Sequence, residues 1–253
     1  MTTLGILQAR MTSSRLPGKV LAPVLDEPMI GRQLERLNRV RGLDRLVVAT
    51  SIDQSDDALV AYLAGIGVPV IRGSLDDVLD RFISALDEYD PEVVVRLTAD
   101  CPLTSPAVVD RVIAEFHESG LDYVSNTLQP TYPDGLDVEV VTADALRWVA
   151  ANSDDVHERE HVTLGVYRRP DRFRVANVRG DEDLSYLRWT VDEPDDLAFA
   201  RAVYEHLYPT KPEFELADVL DLLRAEPRLS RTSRHAERNS ALHGLDTGAM
   251  NRD

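Results

Sequence analysis

Apolar and polar residues alternate along the first half of the chain in a pattern typical of strands followed by helices. Short apolar runs at residues 4–7, 46–50, 68–71 and 92–97 end in polar residues, which predicts four buried strands. Apolar residues at helical spacing predict helices over residues 29–40, 53–67, 76–89 and 105–118. Ser105 and Pro106 suit the start of the last helix, as a cap and a first-turn proline. The alternation predicts an α/β fold with a mainly parallel sheet covered on both faces.

The second half of the chain is less regular. Residues 122–124, 138–141, 173–178 and 187–191 are predicted strands with irregular connections, so we expect an antiparallel addition to the sheet. Two closing helices are predicted over residues 194–208 and 215–225. From residue 227 onward apolar residues thin out, which indicates a domain at 1–226 followed by a polar, mobile tail at 227–253.

Composition restricts the classes of partner. The formal net charge is -16, so the chain has no surplus of Lys and Arg to neutralise nucleic-acid phosphates. The one cysteine, Cys101, excludes an internal disulfide and fits a reducing cytosol. No targeting pattern and no apolar stretch of roughly 20 residues is present, so we expect a cytoplasmic protein that does not bind membranes.

The loop after the first predicted strand carries candidate chemistry. Residues 8–19 contain three cations, Arg10, Arg15 and Lys19, together with three hydroxyl side chains. Ligands of open parallel sheets bind at the carboxyl ends of the strands, and a triphosphate needs amides, hydroxyls and cations. The spacing matches neither a Walker loop nor a dinucleotide fingerprint. On these residues alone, a basic surface loop is an equally good interpretation.

Two carboxylates follow predicted strands directly. Asp100 comes after the fourth strand, and Asp192 comes after residues 187–191. Carboxylates at such a cleft can hold Mg²⁺ together with substrate phosphates. The alternatives are a turn cap before Pro102 for Asp100 and an acid at a helix start for Asp192, where the helix dipole favours negative charge.

Five segments, in order, resemble the cytidylyltransferases that activate acidic sugars. They are residues 8–19, 96–103, 132–139, 158–162 and 189–197, and the resemblance spans roughly residues 4–208. This family includes the CMP-Kdo and CMP-acylneuraminate synthetases, and the spore-coat polysaccharide SpsF group is the most similar. The resemblance implies a Rossmann-like, three-layer α/β/α fold of the nucleotide-diphospho-sugar transferase type. It also implies transfer of CMP from CTP to a 2-keto-3-deoxy sugar acid, with release of pyrophosphate, in cell-surface glycan biosynthesis.

The resemblance implies roles for individual residues of the nucleotide site. Arg15, Lys19 and Asp100 would be catalytic, and Asp100 and Asp192 would be the Mg²⁺ ligands. The nucleotide-binding set would be Gln8, Ala9, Arg10, Met11, Ser13, Arg15, Lys19, Thr50, Ser51, Arg72, Gly73, Ser74, Asp77, Thr98 and Ala99, with Leu79 and Arg81 nearby.

A second set would bind the acceptor. It comprises Asn126, Tyr132, Asp137, Glu139, Arg159, Glu160 and His161. The fork-shaped guanidinium of Arg159 suits a carboxylate. Asp137 and Glu139 alternate on a strand, so we expect only one of them to face the cleft. The resemblance also implies that residues 122–185 are partly an insertion for acceptor binding and dimerisation, with a homodimer contact within residues 130–184.

Three other functions are compatible with parts of this pattern. A metal-dependent nucleotide-sugar glycosyltransferase shares the architecture, but it normally has Asp-x-Asp where residues 98–100 read Thr-Ala-Asp. A cytidylyltransferase acting on a phosphonate or another phosphorylated acid would use the same cleft. A non-catalytic relative that binds a partner would be expected to have lost the charged loop, which is present here.

Overall fold

The central sheet forms because short apolar runs return to neighbouring positions after each helix. The computed structural model describes residues 1–232. Its strands are β1 (Thr3–Gln8), β2 (Pro23–Val24), β3 (Glu27–Pro28), β4 (Arg45–Ser51), β5 (Val70–Gly73), β6 (Val93–Thr98), β7 (Tyr123–Ser125), β8 (Glu139–Thr142) and β9 (Val175–Asn177). Within this part of the chain, β2 and β3 form a hairpin, and the other seven strands form one sheet in the order β5-β4-β1-β6-β8-β7-β9.

The sheet is mainly parallel with one reversed strand. Strands β5, β4, β1 and β6 run parallel to one another, and β7 runs parallel to β9. Strand β8 is antiparallel to both β6 and β7. The predicted α/β class with an antiparallel addition is confirmed, and residues 122–185 supply β7, β8 and β9 to the same sheet.

Helices cover both faces of this sheet. They are α1 (Met29–Leu37), α2 (Asp57–Gly65), α3 (Val78–Tyr89), α4 (Pro106–Ser119), α5 (Ala143–Asn152), α6 (Val156–Glu160), α7 (Leu164–Tyr167), α8 (Pro194–Leu207) and α9 (Leu216–Ala225). Because side chains alternate along a strand, Leu7 packs with α1, α4 and α8, whereas Ile6 packs with α3 and α5. The three-layer arrangement is thus confirmed. The Ser105 hydroxyl accepts a hydrogen bond from Val108 N, as the predicted helix start requires.

Most predicted elements lie within a few residues of their expected bounds, but the strand at residues 187–191 was wrong. Its backbone bonds to loops rather than to a neighbouring strand. Trp189 N donates to Asp134 O at 2.6 Å, and Val191 N donates to Asp100 O at 2.8 Å. Helices α5, α6 and α7 were not predicted from the sequence.

The first residues of the predicted tail pack against the fold. Pro227–Leu229 form a 3₁₀ turn, and the Arg231 carbonyl accepts a hydrogen bond from Arg188 N at 3.0 Å. The Arg231 guanidinium also pairs with Asp196 at 3.2 Å. Residues 227–232 of the predicted tail thus contact the fold, and the rest of it, residues 233–253, lies outside the described residues. In the described part, no helix has the length and apolarity to cross a membrane.

The chain order reverses around β1, which opens a crevice at one edge of the sheet. From β1 the chain passes through α1 to β4 on one side, and it later returns through α3 to β6 on the other. The loops after β1 and β6 therefore diverge. In open α/β sheets such a switch point is where ligands bind.

Gly135 allows the backbone segment before Asp192 to pack closely on the turn at residues 133–136. Its φ is 111°, and a Cβ there would lie 2.5 Å from Thr190 N and 2.6 Å from Trp189 C. We expect Gly135→Ala to lower the free energy of unfolding by about 2–4 kcal/mol, because left-handed strain adds to a backbone clash. Gly120 is the matched control, since its φ is 60° with open space around it. Gly120→Ala should cost only about 1 kcal/mol in urea unfolding, and equal losses for both variants would contradict the steric argument.

Candidate active site

A cleft of about 280 Å³ opens at the carboxyl ends of β1 and β6. It is lined by Gln8, Ala9, Arg10, Ser13, Ser14, Arg15, Lys19, Val20, Val78, Arg81, Thr98, Ala99, Asp100, Glu160, His161 and Asp192. The structure thus brings most of the predicted loop residues together with both predicted metal ligands and two predicted acceptor residues. Ser14, Val20 and Val78 were not in the predicted site, and Arg81 was predicted only as a neighbour of the nucleotide-binding set.

Lys19 lies at the centre of this cleft and joins segments that are far apart in sequence. Its Nζ donates to Val191 O at 2.7 Å and to Asp192 Oδ1 at 3.0 Å, and it lies 3.5 Å from Asp100 Oδ2. Gly18 turns the chain inward with a φ of 73°, and its N–H donates to Met11 O. A short 3₁₀ turn starting at Lys19 then keeps this side chain buried.

Asp192 is surrounded by cations. Besides Lys19, Arg15 Nη2 lies 3.0 Å and Arg188 Nη2 2.7 Å from Asp192 Oδ2. Burial alone would raise the pKa of Asp192, but Lys19, Arg15 and Arg188 together lower it below its usual value. The buried Arg188 is in turn held by Asp134 and Asp196. Asp192 is therefore an ionised, pre-oriented carboxylate at neutral pH.

The two aspartates offer a partial set of metal ligands. Asp100 Oδ1 accepts a hydrogen bond from Thr98 Oγ1 at 2.6 Å, which leaves Asp100 Oδ2 towards Lys19. Among residues 1–232, no three His, Cys, Asp or Glu side chains are grouped as a metal cage. Two carboxylates without a cage fit Mg²⁺, which binds through one or two carboxylates while waters and substrate phosphates complete its shell.

Arg81 is a buried cation that lacks hydrogen-bond acceptors in the described part of the chain. It is 1% exposed, and its Nε and Nη1 have no hydrogen-bond partner among the described residues. Burial, and then the like charge of Arg10, lower the pKa of Arg81. An unpaired buried charge is costly, so this guanidinium is suited to a ligand that supplies acceptor atoms. The sequence signal was a charge inside the apolar stripe of α3.

Thr50 and Ser51 do not line the cleft, because their polar groups bind Asp56. Thr50 Oγ1 donates to Asp56 Oδ2 at 2.9 Å, and both the amide and the hydroxyl of Ser51 donate to the same oxygen. The other oxygen of Asp56 accepts from Met11 N at 2.7 Å. Asp56 was missed by sequence reasoning, and it anchors the β1 loop to the end of β4.

At the end of β5 and in the loop after it, the polar groups of Arg72, Ser74 and Asp77 form hydrogen bonds and ion pairs with nearby protein groups. Arg72 donates to Ser51 O and pairs with Asp57, while Ser74 Oγ accepts from Asp77 N at 3.2 Å. Gly73 lies under Arg81, since a Cβ there would be 2.7 Å from Arg81 Cγ. A second hollow, of about 300 Å³, adjoins the main cleft and is lined by Arg10, Leu75, Asp76, Asp77, Val156, Arg159 and Glu160.

Some of the predicted acceptor residues line the cleft or the adjoining hollow, and others are buried in the protein. Glu160 and His161 line the cleft, and Arg159 pairs with Asp77 at the adjoining hollow. Asn126 is fully buried, with its amide bonded to Leu136 O and Val138 N. Tyr132 belongs to the apolar core, Asp137 is half-buried, and the Glu139 carboxylate is buried beside Arg96.

Comparison with known proteins identifies similar chains. A family model described as Cytidylyltransferase matches residues 4–215. The spore coat polysaccharide biosynthesis protein SpsF of Bacillus subtilis is 33% identical over 241 residues, covering 92% of this chain and 98% of the relative. The 8-amino-3,8-dideoxy-manno-octulosonate cytidylyltransferase of Shewanella baltica is 34% identical over 128 residues, covering 49% of this chain and 51% of the relative. The structure of a cytidylyltransferase from Leptospira borgpetersenii superposes with a TM-score of 0.86 at 29% identity, covering 90% of this chain and 96% of that one.

We expect Asp56→Asn to lower the free energy of unfolding by about 2–4 kcal/mol at pH 7, because several buried donors lose their ionised acceptor. Burial by itself would raise the pKa of Asp56, but hydrogen bonds from Met11, Ser51 and Thr50 lower it overall. The carboxylate therefore stabilises the fold above the unfolded-state pKa of about 3.9, and this contribution is lost as pH falls through the lower folded-state pKa.

Urea unfolding between pH 7 and pH 3 checks this expectation. The difference between the native protein and Asp56→Asn should narrow below about pH 4. Asp57→Asn is the matched control, because Asp57 has a 56% exposed side chain that pairs with Arg72. It should change stability by less than about 1 kcal/mol. A difference that stays constant with pH would contradict the role given to the ionised Asp56.

Proposed function

Because the chain belongs to the cytidylyltransferase family, we propose that it transfers CMP from CTP to a small acidic acceptor, a sugar acid, and releases pyrophosphate. The observation that carries this proposal is the position of Lys19. Its ammonium lies 3.0 Å from Asp192 Oδ1 and 3.5 Å from Asp100 Oδ2, inside a cleft whose first wall is the cationic β1 loop. A metal-chelated triphosphate needs this combination of fixed cations and carboxylates.

Lys19 and Arg15 are suited to the phosphates of CTP. Both cations already lie in the cleft, where they pair with Asp192, so they are close to the place proposed for the phosphates. The acceptor oxygen attacks the α-phosphorus in line, and negative charge builds up on the departing pyrophosphate. Fixed cations that face this charge stabilise the transition state, which is the main contribution available in such reactions.

Asp100 and Asp192 are the residues that would hold Mg²⁺. Both carboxylates line the cleft, and hydrogen bonds from Thr98 and Arg188 orient them. When bound, the metal supplies charge neutralisation and alignment of the phosphate oxygens. Because Thr98 and Arg188 fix the orientation of the two carboxylates, they would also fix the position of the metal and of the triphosphate bound to it.

The nucleoside would occupy the part of the cleft lined by Ala9, Thr98 and Arg81. Arg81 Nε and Nη1 have no hydrogen-bond partner within residues 1–232, and Arg10 at the rim is exposed. Base carbonyl and ribose oxygens are the acceptors that these donors lack. We therefore add Arg81 to the nucleotide-binding set. Thr50 and Ser51 would act indirectly, because they bind Asp56, which in turn holds the β1 loop.

The acceptor would bind on the side formed by Glu160 and His161. Burial, and then Arg96, lower the pKa of His161, so the neutral imidazole can accept a hydrogen bond from an acceptor hydroxyl. Arg159, at the adjoining hollow, suits a carboxylate. A sugar acid used for cell-surface polysaccharide is supported by the names of the Bacillus and Shewanella relatives.

A two-step screen of pyrophosphate release tests the proposal. CTP, UTP, ATP and GTP are compared first with Mg²⁺ and a pool of 2-keto-3-deoxy sugar acids, and single acceptors, including phosphonates, are compared afterwards. We expect release with CTP only, and only when an acidic acceptor is present. Transfer from a nucleotide sugar without pyrophosphate release would instead indicate a glycosyltransferase. Absence of CTP binding in calorimetry would leave only a non-catalytic role.

We expect Asp100→Asn to reduce CTP-dependent pyrophosphate release by about a hundredfold or more, because one carboxylate charge is lost where the metal would be held. The asparagine oxygen can still accept from Thr98, so the melting temperature should change little. Asp221→Asn is the matched control, on an exposed position of α9 whose side chain is 71% exposed. Full activity of Asp100→Asn would remove Asp100 from the mechanism.

A further inference from the structure

Glu139 is enclosed by donors, although it was expected to contact the acceptor. Its Oε1 accepts from Tyr123 Oη at 2.7 Å and from Thr163 Oγ1 at 2.5 Å, and its Oε2 accepts from Arg96 Nη1. The side chain is 9% exposed. A carboxylate with these partners has little capacity left for a ligand. Glu139 therefore supports residues of the cleft and does not contact the ligand itself.

Arg96 connects Glu139 to Gln8. The Arg96 guanidinium pairs with Glu139 through Nη1 and donates through Nε to Gln8 Oε1 at 3.2 Å. Arginine has donors only, so the Gln8 atom that faces Arg96 has to be the amide oxygen. The amide NH₂ of Gln8 is consequently the free end, and among the described residues it has no hydrogen-bond acceptor assigned to it.

Gln8 lies on the nucleoside side of the cleft rather than at the phosphate anchor. Ile6, two residues earlier on β1, packs in the core formed with α3, and Val94 has the same relation to Arg96 on β6. Gln8 and Arg96 thus lie on the α3 face of the sheet. Val20, adjacent to Lys19, packs in the core on the opposite face. The free NH₂ of Gln8 therefore faces the same part of the cleft as Arg81.

We propose that Gln8 binds the nucleoside of CTP as a fixed hydrogen-bond donor, and that Arg96 and Glu139 are positioning residues that set its direction. This inference rests on the proposed use of CTP. An amide that can turn offers either a donor or an acceptor, whereas Gln8 held by Arg96 offers only a donor. It therefore favours an acceptor atom, such as a base carbonyl or ribose oxygen, at this position of the ligand.

The decisive variant is Gln8→Glu. A glutamate keeps an oxygen for Arg96, so the buried network is retained, but it replaces the free NH₂ with a carboxylate oxygen. We expect the Kd for CTP with Mg²⁺, measured by calorimetry, to rise about tenfold or more. The control is Gln54→Glu, the same chemical change at an exposed residue outside the cleft, which should alter the Kd less than about twofold.

The positioning role is tested by a double-mutant cycle. Arg96→Lys keeps a charge for Glu139 but lacks the fork that also reaches Gln8. It should weaken CTP binding in the native background and have little further effect in a Gln8→Ala background, because the residue that it orients is then absent. A purely structural effect of Arg96→Lys would weaken binding equally in both backgrounds.

The outcomes separate this inference from the proposed function. If the native protein binds CTP and Gln8→Glu binds it equally well, Gln8 does not contact the nucleotide and the inference is overturned, while the proposed function stands. If the native protein does not bind CTP, both are overturned. If Arg96→Lys does not fold, the comparison of Gln8→Glu with Gln54→Glu still decides whether Gln8 is a donor to CTP.

Discussion

The Lys19 ammonium connects the three parts of the chain that form the cleft. It approaches Asp100 after β6, Asp192 before α8 and the carbonyl of Val191, although these residues lie far from it in sequence. A buried ammonium is tolerated only when carboxylates and carbonyls surround it, so this contact requires the β1 loop and both aspartate segments to fold together. The charges suited to a triphosphate are therefore already in place when the fold is complete.

A second layer of charges holds the first in position. Arg188 contacts Asp134, Asp192 and Asp196, and Arg231 closes over Asp196 from the last described segment. A chain with a net charge of -16 thus presents a cleft rich in cations, because Arg10, Arg15, Lys19 and Arg81 all line it. Local arrangement, and not total charge, determines which ligand such a cleft attracts.

The sequence predicted most of the sheet and the cationic loop that lines the cleft, because both depend on local patterns. Buried apolar strands and a cationic loop at a strand end are visible in consecutive residues. The sequence could not predict that Thr50 and Ser51 bind Asp56. An acidic residue at the start of a helix, such as Asp56, is common and did not indicate this role. Residues 187–191 have the composition of a strand, yet their partners are loops that no local pattern reveals.

The buried arginines in and behind the cleft differ in their partners, and the difference indicates where a ligand belongs. Arg96 and Arg188 pair with carboxylates and hold neighbouring residues of the cleft in position. Arg81 has no partner among the described residues, although it is almost completely buried. Desolvating a cation without acceptors opposes folding, and a ligand that supplies the missing acceptor atoms would offset this cost. The same reasoning applies to the free amide of Gln8, and both residues line the cleft.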